Sequence, residues 1–146
     1  MNMAAMQSAL DQYKQVGVQS GIESASPHRL IQMLMEGVLE KVSSAKGFMA
    51  RGEVGKKGES ISWAISILDG LRVSLDRSID AELVHNLDAL YDYMSHRLLE
   101  ANLSNDTAIL DEVTGLMRDL KTGWDGIAQE AVQIEEKKSK AAQKGA

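Results

Sequence analysis

Cysteine is absent from the 146-residue chain, which excludes disulfide frameworks, thiolate zinc sites and cysteine nucleophiles. The sequence has a single proline, Pro27, and only 4% aromatic residues. Strand-rich proteins need β-branched and aromatic residues with frequent turn residues between them. The composition therefore predicts an all-α protein. No apolar run approaches the roughly 18 residues of a membrane span, and the N-terminus lacks the basic start and apolar stretch of a secretory signal.

Basic residues are fewer than acidic ones, 16 against 21, for a formal net charge of −5. A nucleic-acid-binding domain usually has a basic excess clustered on one face, so we expect no nucleic-acid partner and no stable membrane insertion. The length favours one domain with one core. The absence of cysteine and of export or membrane signals is consistent with a cytoplasmic protein, which is the predicted location.

Four runs of apolar residues recur at the three- and four-residue spacing of one helix face. The predicted helix limits are Ser26-Pro27 to Gly52, Gly55 or Lys57 to Ser78, Asp80 to Asn102, and Ser104, Asn105 or Asp106 to about residue 136. The predicted seams are Ile31, Met35, Val38, Val42, Ala45 and Met49; Ile61, Ala64, Leu68, Leu71 and Leu75; Val84, Leu87, Tyr91, Met94, Leu98 and Ala101; and Val113, Met117, Leu120, Trp124, Ile127, Ala131 and Ile134. Long seams with short links predict an antiparallel up-down four-helix bundle over residues 26–136.

The two ends of the chain differ from the bundle pattern. Residues 1–25 form a short amphipathic arm, in which an apolar stripe that includes Met6, Leu10 and Tyr13 precedes a glycine-containing stretch. A helix this short is marginal alone in water, so the arm either completes the core or docks reversibly. Residues 137–146 are charged without apolar periodicity, which predicts a flexible, disordered tail.

Several apolar residues lie beside the seams of the third and fourth helices. They either widen the core stripe, as is common in globular helices, or form an exposed apolar surface that marks a partner site. These residues are Leu83, Leu90, Tyr93, Leu103, Ile109 and Leu116. Glycines inside the helical patterns likewise permit either close helix approach or shallow grooves.

The sequence contains no recognisable catalytic or cofactor constellation. A di-iron bundle needs Glu-x-x-His motifs on two helices and two further glutamates, and only Glu82 and His85 match this spacing. Methionines at seam spacing are typical core filler, and no glycine-rich phosphate loop follows a strand. We expect no enzyme activity, no cofactor and no metal.

Two segments carry a resemblance to a known family. Residues 25–37 read ASPHRLIQMLMEG and residues 86–106 read NLDALYDYMSHRLLEANLSND. With Tyr13, Leu75-Asp76 and Trp124, they resemble the flagellin-specific export chaperone family FliS, over about Leu10 to Trp124. The chain departs from the family at Met35-Glu36, which replace an aromatic residue and Asp, at Trp63, which replaces a basic residue, and at Ser78-Ile79-Asp80, which replace a glycine pair.

The resemblance implies a non-catalytic cytoplasmic bundle that binds the disordered C-terminal segment of flagellin. The segment would wrap around the bundle, which prevents premature polymerisation, and would be delivered to the flagellar type III export gate. The arm would cover part of the client site in the free protein, with Leu10 and Tyr13 also serving gate docking. The expected partner-binding residues are Met6, Leu10, Tyr13, Val16, Leu71, Leu75, Leu83, Leu90, Tyr91, Leu98, Ala101 and Asn102.

Two rival hypotheses belong to other classes. A regulatory bundle could bind another flagellar or secretion protein, such as an anti-sigma factor, through the same apolar surface, and competition between the partners would discriminate the two. A redox or metal-binding bundle would be recognised by colour or bound metal in the purified protein.

Overall fold

The regular structure of the described part of the chain is helical. The computed structural model describes residues 25–78 and 80–144, with side chains up to residue 127. The four helices are α1 (Pro27–Ala50), α2 (Val54–Val73), α3 (Ala81–Ser104) and α4 (Thr107–Lys144). The prediction of an all-α chain with four helices is confirmed for these residues. The arm at residues 1–25 falls outside the described residues, apart from Ala25.

Each helix packs against two others in cyclic order, α1 with α2, α2 with α3, α3 with α4, and α4 with α1. Polar contacts define which parts meet. The indole of Trp124 in α4 reaches the start of α1, and Lys46 near the end of α1 pairs with Asp111 at 2.7 Å near the start of α4. The start of α1 therefore contacts the later of these two α4 residues, Trp124, and the end of α1 contacts the earlier one, Asp111.

The predicted start and stop of α1 are both confirmed. The hydroxyl oxygen of Ser26 accepts a hydrogen bond from the Arg29 N–H at 3.1 Å, and Pro27 occupies the first turn. Serine satisfies a free helical N–H and proline has none to lose, so the pair favours a helix start. Arg51 caps the C-terminus, and Gly52 follows with φ 71°. Glycine adopts this left-handed conformation without the steric cost that other residues incur.

The end of α2 differs from the prediction, because the helix stops at Val73 rather than Ser78. The hydroxyl of Ser74 donates to the Leu71 carbonyl oxygen at 2.8 Å, and the Asp76 carboxylate accepts from the Ser78 N–H at 3.0 Å. Side chains of this kind compete with helical hydrogen bonds and form turns. The link to α3 therefore begins five residues earlier than the apolar spacing indicates.

The predicted start of α3 is confirmed, since an Asp80 carboxylate oxygen accepts from the Leu83 N–H at 3.1 Å. The predicted C-cap at Asn102 is wrong. The helix continues to Ser104, and Asn105 takes the left-handed cap position with φ 53°.

A buried lysine of α2 explains the later end of α3. The ammonium of Lys57, whose residue is 3% exposed, donates to the Asn102 carbonyl oxygen at 2.9 Å and to the Asn105 side-chain oxygen at 2.6 Å. A cation is favourable at a helix C-terminus, where carbonyl groups lack helical partners. This tertiary contact satisfies groups that a cap at Asn102 would have left to solvent.

The limits of α4 agree with the prediction at one end only. The Asp106 carboxylate accepts from the Ala108 N–H at 2.9 Å, as expected of an N-cap candidate. The backbone is then helical through Lys144, across most of the segment predicted as a disordered tail from residue 137. Glutamate, lysine, alanine and glutamine are good helix formers, and they make up most of residues 135–144. Local propensity therefore outweighs the missing apolar stripe.

The core contains most of the predicted seam residues. It consists of Leu30, Ile31, Met33, Leu34, Met35, Val38, Val42, Ala45, Ile61, Ala64, Ile67, Leu68, Leu71, Tyr91, Met94, Leu98, Ala101, Ile109, Leu110, Val113 and Met117. Ile67 and Leu110 are among the buried residues that no predicted seam included. Ile127 was placed in the seam of α4 but is 53% exposed, because it lies towards the end of the bundle, where fewer neighbours cover it.

The residues beside the seams divide between the two interpretations. Ile109 is buried, and Leu90 and Leu116 pack partly against the core. Leu83, Tyr93 and Leu103 are exposed. The buried and half-buried residues widen the apolar stripe that packs in the core. The exposed residues leave apolar surface on α3.

Two glycines allow a paired test of the backbone. A Cβ at Gly52 or at Gly115 would meet no atom within 4 Å, so the two sites differ mainly in conformation. We expect Gly52→Ala to destabilise the fold by about 1 kcal/mol through left-handed strain. Gly115→Ala, in the interior of α4, should stabilise it by up to about 1 kcal/mol through helix propensity. Urea denaturation followed by circular dichroism measures both, and shifts of the same sign would contradict this account of Gly52.

Candidate partner-binding groove

An apolar groove of about 370 Å³ lies where the start of α1, the end of α2, the start of α3 and the middle of α4 meet. Its lining includes Ile31 and Met35 from α1, Leu71 and Leu75 from α2 and the link after it, and Leu83, Val84, Leu87 and Tyr91 from α3. From α4 it includes Leu120, Gly123, Trp124 and Ile127. Among the described lining residues, Ser74, Asp76 and Asp119 have short polar or charged side chains. We call this feature the end groove.

The end groove has a buried floor and an open rim. Leu71 and Tyr91 are 1% and 3% exposed, whereas Leu83 and Ile127 are 51% and 53% exposed. Burial raises the pKa of Tyr91 to about 12, so its phenol stays neutral. Exposed leucine and isoleucine above a packed apolar floor are the arrangement expected of a docking surface for apolar side chains.

Four of the predicted partner-binding residues meet in the end groove: Leu71, Leu75, Leu83 and Tyr91. These residues converge because they lie on either side of the link between α2 and α3, or within it. The end of α2 and the start of α3 are joined by a short link, so side chains from both sides of the link face the same space.

The other predicted site residues are not gathered there. Leu90 is half-buried and does not line the groove, and Leu98 and Ala101 are fully buried in the core. Asn102 lies near Lys57 and Asn105. These four residues lie outside the lining of the end groove. Met6, Leu10, Tyr13 and Val16 lie outside the described residues.

Several groove residues were assigned to the core alone, among them Ile31, Leu120 and Trp124. They belong to helical seams, and periodicity reports which face is apolar without reporting where the neighbouring helix ends. One sequence signal was available, since the apolar stripe of α1 is widest at its N-terminal end. The widest part of this stripe lies beside the groove.

A stacked pair fixes one wall of the end groove. The rings of His28 and Trp124 lie parallel, with centroids 4.4 Å apart and an interplanar angle of 1°. The indole N–H donates to the His28 carbonyl oxygen at 2.9 Å. Burial lowers the pKa of His28, and the nearby Asp125 carboxylate offsets this in part. The imidazole Nε2 is buried and has no hydrogen-bond partner among the described residues.

Ion pairs fix the opposite side of the groove, between α2 and α3. The Arg72 guanidinium donates to Asp88 at 2.9 Å and to Asp92 at 3.0 Å, and Arg77 pairs with Asp88 at 3.3 Å. The hydrogen bond from Arg72 lowers the pKa of Asp88. Charge-assisted bonds of this kind give a defined geometry, so they hold the end of α2 against α3 beside the groove.

A second, more open cavity of about 830 Å³ adjoins the end groove and shares Leu75 and Asp76 with it. Its other lining residues are Asp69, Arg72, Val73, Arg77 and Asp88. Hydrogen bonds from the hydroxyl and N–H of Ser78 lower the pKa of Asp76 to about 2. Asp76 is therefore ionised at neutral pH, at the boundary between an apolar and a charged compartment.

The described side chains include no group of three or more histidines, aspartates and glutamates placed to hold a metal ion. Glu82 and His85, the one match to a metal spacing, are both exposed. None of the described helices is long and apolar enough to cross a membrane. What the end groove offers is apolar contact area with carboxylates beside it, which suits binding.

Comparison with known proteins decides the family. The family model described as flagellar protein FliS matches residues 9–131. This chain belongs to the FliS family. The resemblance inferred from residues 25–37 and 86–106 is therefore confirmed, and FliS is a family of chaperones, not enzymes.

Curated relatives in the FliS family cover most of this chain. Flagellar secretion chaperone FliSB of Pseudomonas aeruginosa is 51% identical over 120 residues, which are 82% of this chain and 95% of the relative. Flagellar secretion chaperone FliS of Salmonella typhimurium is 44% identical over 125 residues, 85% of this chain and 93% of the relative. FliS of Bacillus subtilis is 34% identical over 119 residues, 82% and 85% of the two chains.

A solved structure supports the fold. The crystal structure of a flagellar chaperone from bacteria matches with a TM-score of 0.68 and covers 82% of this chain and 98% of its own. At 18% identity, this likeness concerns the helical fold alone.

The contact between Trp124 and His28 generates a stability prediction. Trp124→Phe removes the indole N–H and with it the hydrogen bond to the His28 carbonyl oxygen, so we expect a loss of about 1 kcal/mol in the free energy of unfolding. Trp63→Phe is the control, because Trp63 is half-buried and donates no hydrogen bond within the described part of the chain. Urea denaturation should show the larger loss for Trp124→Phe, and equal losses would mean that the hydrogen bond contributes nothing.

Proposed function

We propose that this chain is a cytoplasmic export chaperone that binds the disordered C-terminal segment of flagellin. Binding prevents premature polymerisation, and the complex is delivered to the flagellar type III export apparatus. The observation that carries the proposal is the end groove, with its buried floor and exposed rim at Leu83 and Ile127. Membership of a family of flagellar secretion chaperones supplies the functional context.

The groove suits part of a longer segment. At about 370 Å³ it accommodates a few apolar side chains, near the lower end of the size of ligand pockets. A disordered segment can insert its apolar anchors there at helical spacing and cover other surface with the rest. Ordering of the segment offsets part of the contact energy, so the complex can be specific and still release its client.

We propose an antiparallel up-down order for the bundle. Contacts between three pairs of helices support it. His28 with Trp124 and Lys46 with Asp111 join α1 to α4. Lys57 with Asn102 and Arg72 with Asp88 join α2 to α3, and Tyr93 and Arg97 with Glu112 join α3 to α4. In the first two pairs, the contact with the higher residue number on one helix has the lower residue number on the other. In the third pair, the contacts lie near the link that joins the two helices. This order brings the four helix segments that line the end groove to one end.

The N-terminal segment has a role in this proposal. Residues 1–25 act as an arm, residues 26–136 as the chaperone domain and residues 137–146 as a tail. Met6, Leu10 and Tyr13 cover apolar surface until flagellin displaces them, and Leu10 and Tyr13 then contribute to docking at the export gate. The support is the apolar stripe of the arm and its attachment at Ala25, directly before the part of α1 that lines the groove.

The alternative of a regulatory bundle that binds an anti-sigma factor gains no support. The names of the curated relatives specify flagellar secretion chaperones. The end groove itself has no feature that favours such a regulator over a secreted client.

Titration calorimetry of the full chain with the C-terminal segment of the host's flagellin tests the proposed function. Binding of one segment per chain with a large negative heat-capacity change is expected, because apolar burial is coupled to ordering. An absence of heat at several temperatures, together with separate elution of the two components, would contradict flagellin as the client.

A pair of leucines on α3 tests the location of the site. Leu83 lines the groove and is 51% exposed, whereas Leu103 is 87% exposed and does not line it. Leu83→Gln should weaken flagellin binding about five- to tenfold through lost apolar burial. Leu103→Gln should leave the affinity unchanged. Calorimetry measures both, and equal effects would place the client elsewhere.

Removal of residues 1–20 tests the arm. We expect a changed affinity for flagellin, because the arm and the client use the same apolar surface, and an unchanged thermal transition of the helices. Calorimetry and circular dichroism supply the two readouts. Loss of the cooperative helical transition would show instead that the arm completes the core.

A further inference from the structure

The floor of the end groove contains an unpaired hydroxyl. Tyr91 of α3 is 3% exposed and lines the groove. Its hydroxyl makes no hydrogen bond within the described part of the chain. Most buried polar side-chain atoms in proteins have a partner, and an unpaired one destabilises the folded state. Phenylalanine would pack the same ring without this cost, so packing alone does not explain a tyrosine here.

The oxygen of this hydroxyl retains contact with accessible space. Among the described side chains, two unpartnered polar atoms are fully enclosed, His28 Nε2 and Ser95 Oγ. The Tyr91 oxygen is not one of them, and the space that Tyr91 lines is the end groove. A group that enters the groove can therefore meet this hydroxyl, whereas the hydroxyl of Ser95 is closed off from any partner.

The hydroxyl offers a hydrogen-bond donor in a largely apolar lining. Burial raises the pKa of Tyr91 to about 12, so the proton stays on the oxygen at neutral pH. The nearby hydroxyl of Ser74 already donates to the Leu71 carbonyl oxygen at 2.8 Å. A donor in such surroundings discriminates between ligands, because a ligand without an acceptor leaves the donor buried and unpaired.

We propose that the Tyr91 hydroxyl donates a hydrogen bond to the side-chain carbonyl oxygen of an asparagine or glutamine that lies between the apolar anchors of the client. This inference rests on the proposed function and adds a polar determinant of specificity to it. A segment that inserts as a helix uses its backbone carbonyl groups internally, so a side chain supplies the acceptor. A neutral amide also suits a lining with carboxylates at Asp76 and Asp119, which would repel a client carboxylate.

The hydrogen bond would fix the register of the client. Apolar contacts alone tolerate a segment that is shifted along the groove. With Tyr91 on the floor, a shifted segment leaves both its own amide and the hydroxyl unpaired, which weakens the wrong complex. The hydroxyl thus lowers the stability of the free chain and raises the specificity of the complex.

Three substitutions in the full chain form the test. Tyr91→Phe removes the groove hydroxyl and keeps the ring. Tyr93→Phe is the first control, because Tyr93 is exposed, lies outside the groove lining and bonds to Glu112 at 3.1 Å. Ser95→Ala is the second, because it removes a buried, unpartnered hydroxyl that does not line the groove.

The probe is the synthetic C-terminal peptide of the host's flagellin. A second set of peptides replaces each asparagine in turn by leucine and each glutamine by methionine, which removes the amide and retains the approximate size. Titration calorimetry gives the affinities, and urea denaturation gives the stability of each free chain.

We expect Tyr91→Phe to weaken peptide binding about two- to tenfold, the range of one neutral hydrogen bond. The urea midpoint of the free Tyr91→Phe chain should be unchanged or higher, because the substitution removes an unpaired hydroxyl. Tyr93→Phe and Ser95→Ala should leave the affinity unchanged. A hydroxyl with a merely structural role would not lower the affinity while the stability is kept.

One substituted peptide identifies the acceptor. It should show the same loss with the unaltered chain and no further loss with Tyr91→Phe, the result of a coupled pair in a double-mutant cycle. If Tyr91→Phe weakens binding and no substituted peptide is coupled to it, the hydroxyl meets another group and the assignment to a side-chain amide is wrong.

The remaining contrary outcomes differ in meaning. If Tyr91→Phe binds the peptide as tightly as the unaltered chain, the hydroxyl plays no part, while the proposed function stands. If Tyr91→Phe lowers the affinity and the urea midpoint together, the hydroxyl is structural and the inference fails. If the unaltered chain binds no peptide, the proposed function fails and the inference fails with it.

Discussion

The apolar stripe of α1 is the constraint on which the rest of the fold depends. This helix packs against both α2 and α4, and its central residues Leu34 and Val38 are fully buried. Towards the N-terminus the same stripe continues through Ile31 and Met35 into the lining of the end groove. Core and groove are therefore one apolar surface, covered by neighbouring helices along most of its length and left open at one end.

The fold could be predicted largely from local signals, whereas the site could not. Ser26-Pro27, Gly52, Asp80 and the candidates before α4 mark helix ends by their own side-chain or backbone chemistry, which a sequence displays directly. The end of α3 escaped prediction because it depends on Lys57, 45 residues from Asn102 in the chain. The groove could be predicted only in part, for a related reason. Helical periodicity places Leu98 and Leu83 on apolar faces, and only the packed bundle shows that one is covered and the other is open.

Ion pairs on one side of the groove and an aromatic stack on the other hold the helices that form its walls. Arg72, Asp88 and Asp92 hold α2 to α3, and the stacked His28 and Trp124 hold α1 to α4. These contacts flank the groove without filling it. The apolar floor can therefore stay open without collapse, since the walls are fixed by interactions that do not require its side chains to meet. A chaperone needs such a surface to remain available before its client arrives.

The cyclic packing order also has a consequence for the kinetics of folding. Three of the four helix interfaces join neighbours in sequence, and among the described residues only that between α1 and α4 closes a long loop. Local contacts form quickly, and loop-closure entropy is concentrated in the last interface. The helical hairpins can therefore assemble rapidly, with the end groove completed when α4 reaches α1. The rate at which this one interface closes therefore sets how soon the groove is formed after synthesis of the chain.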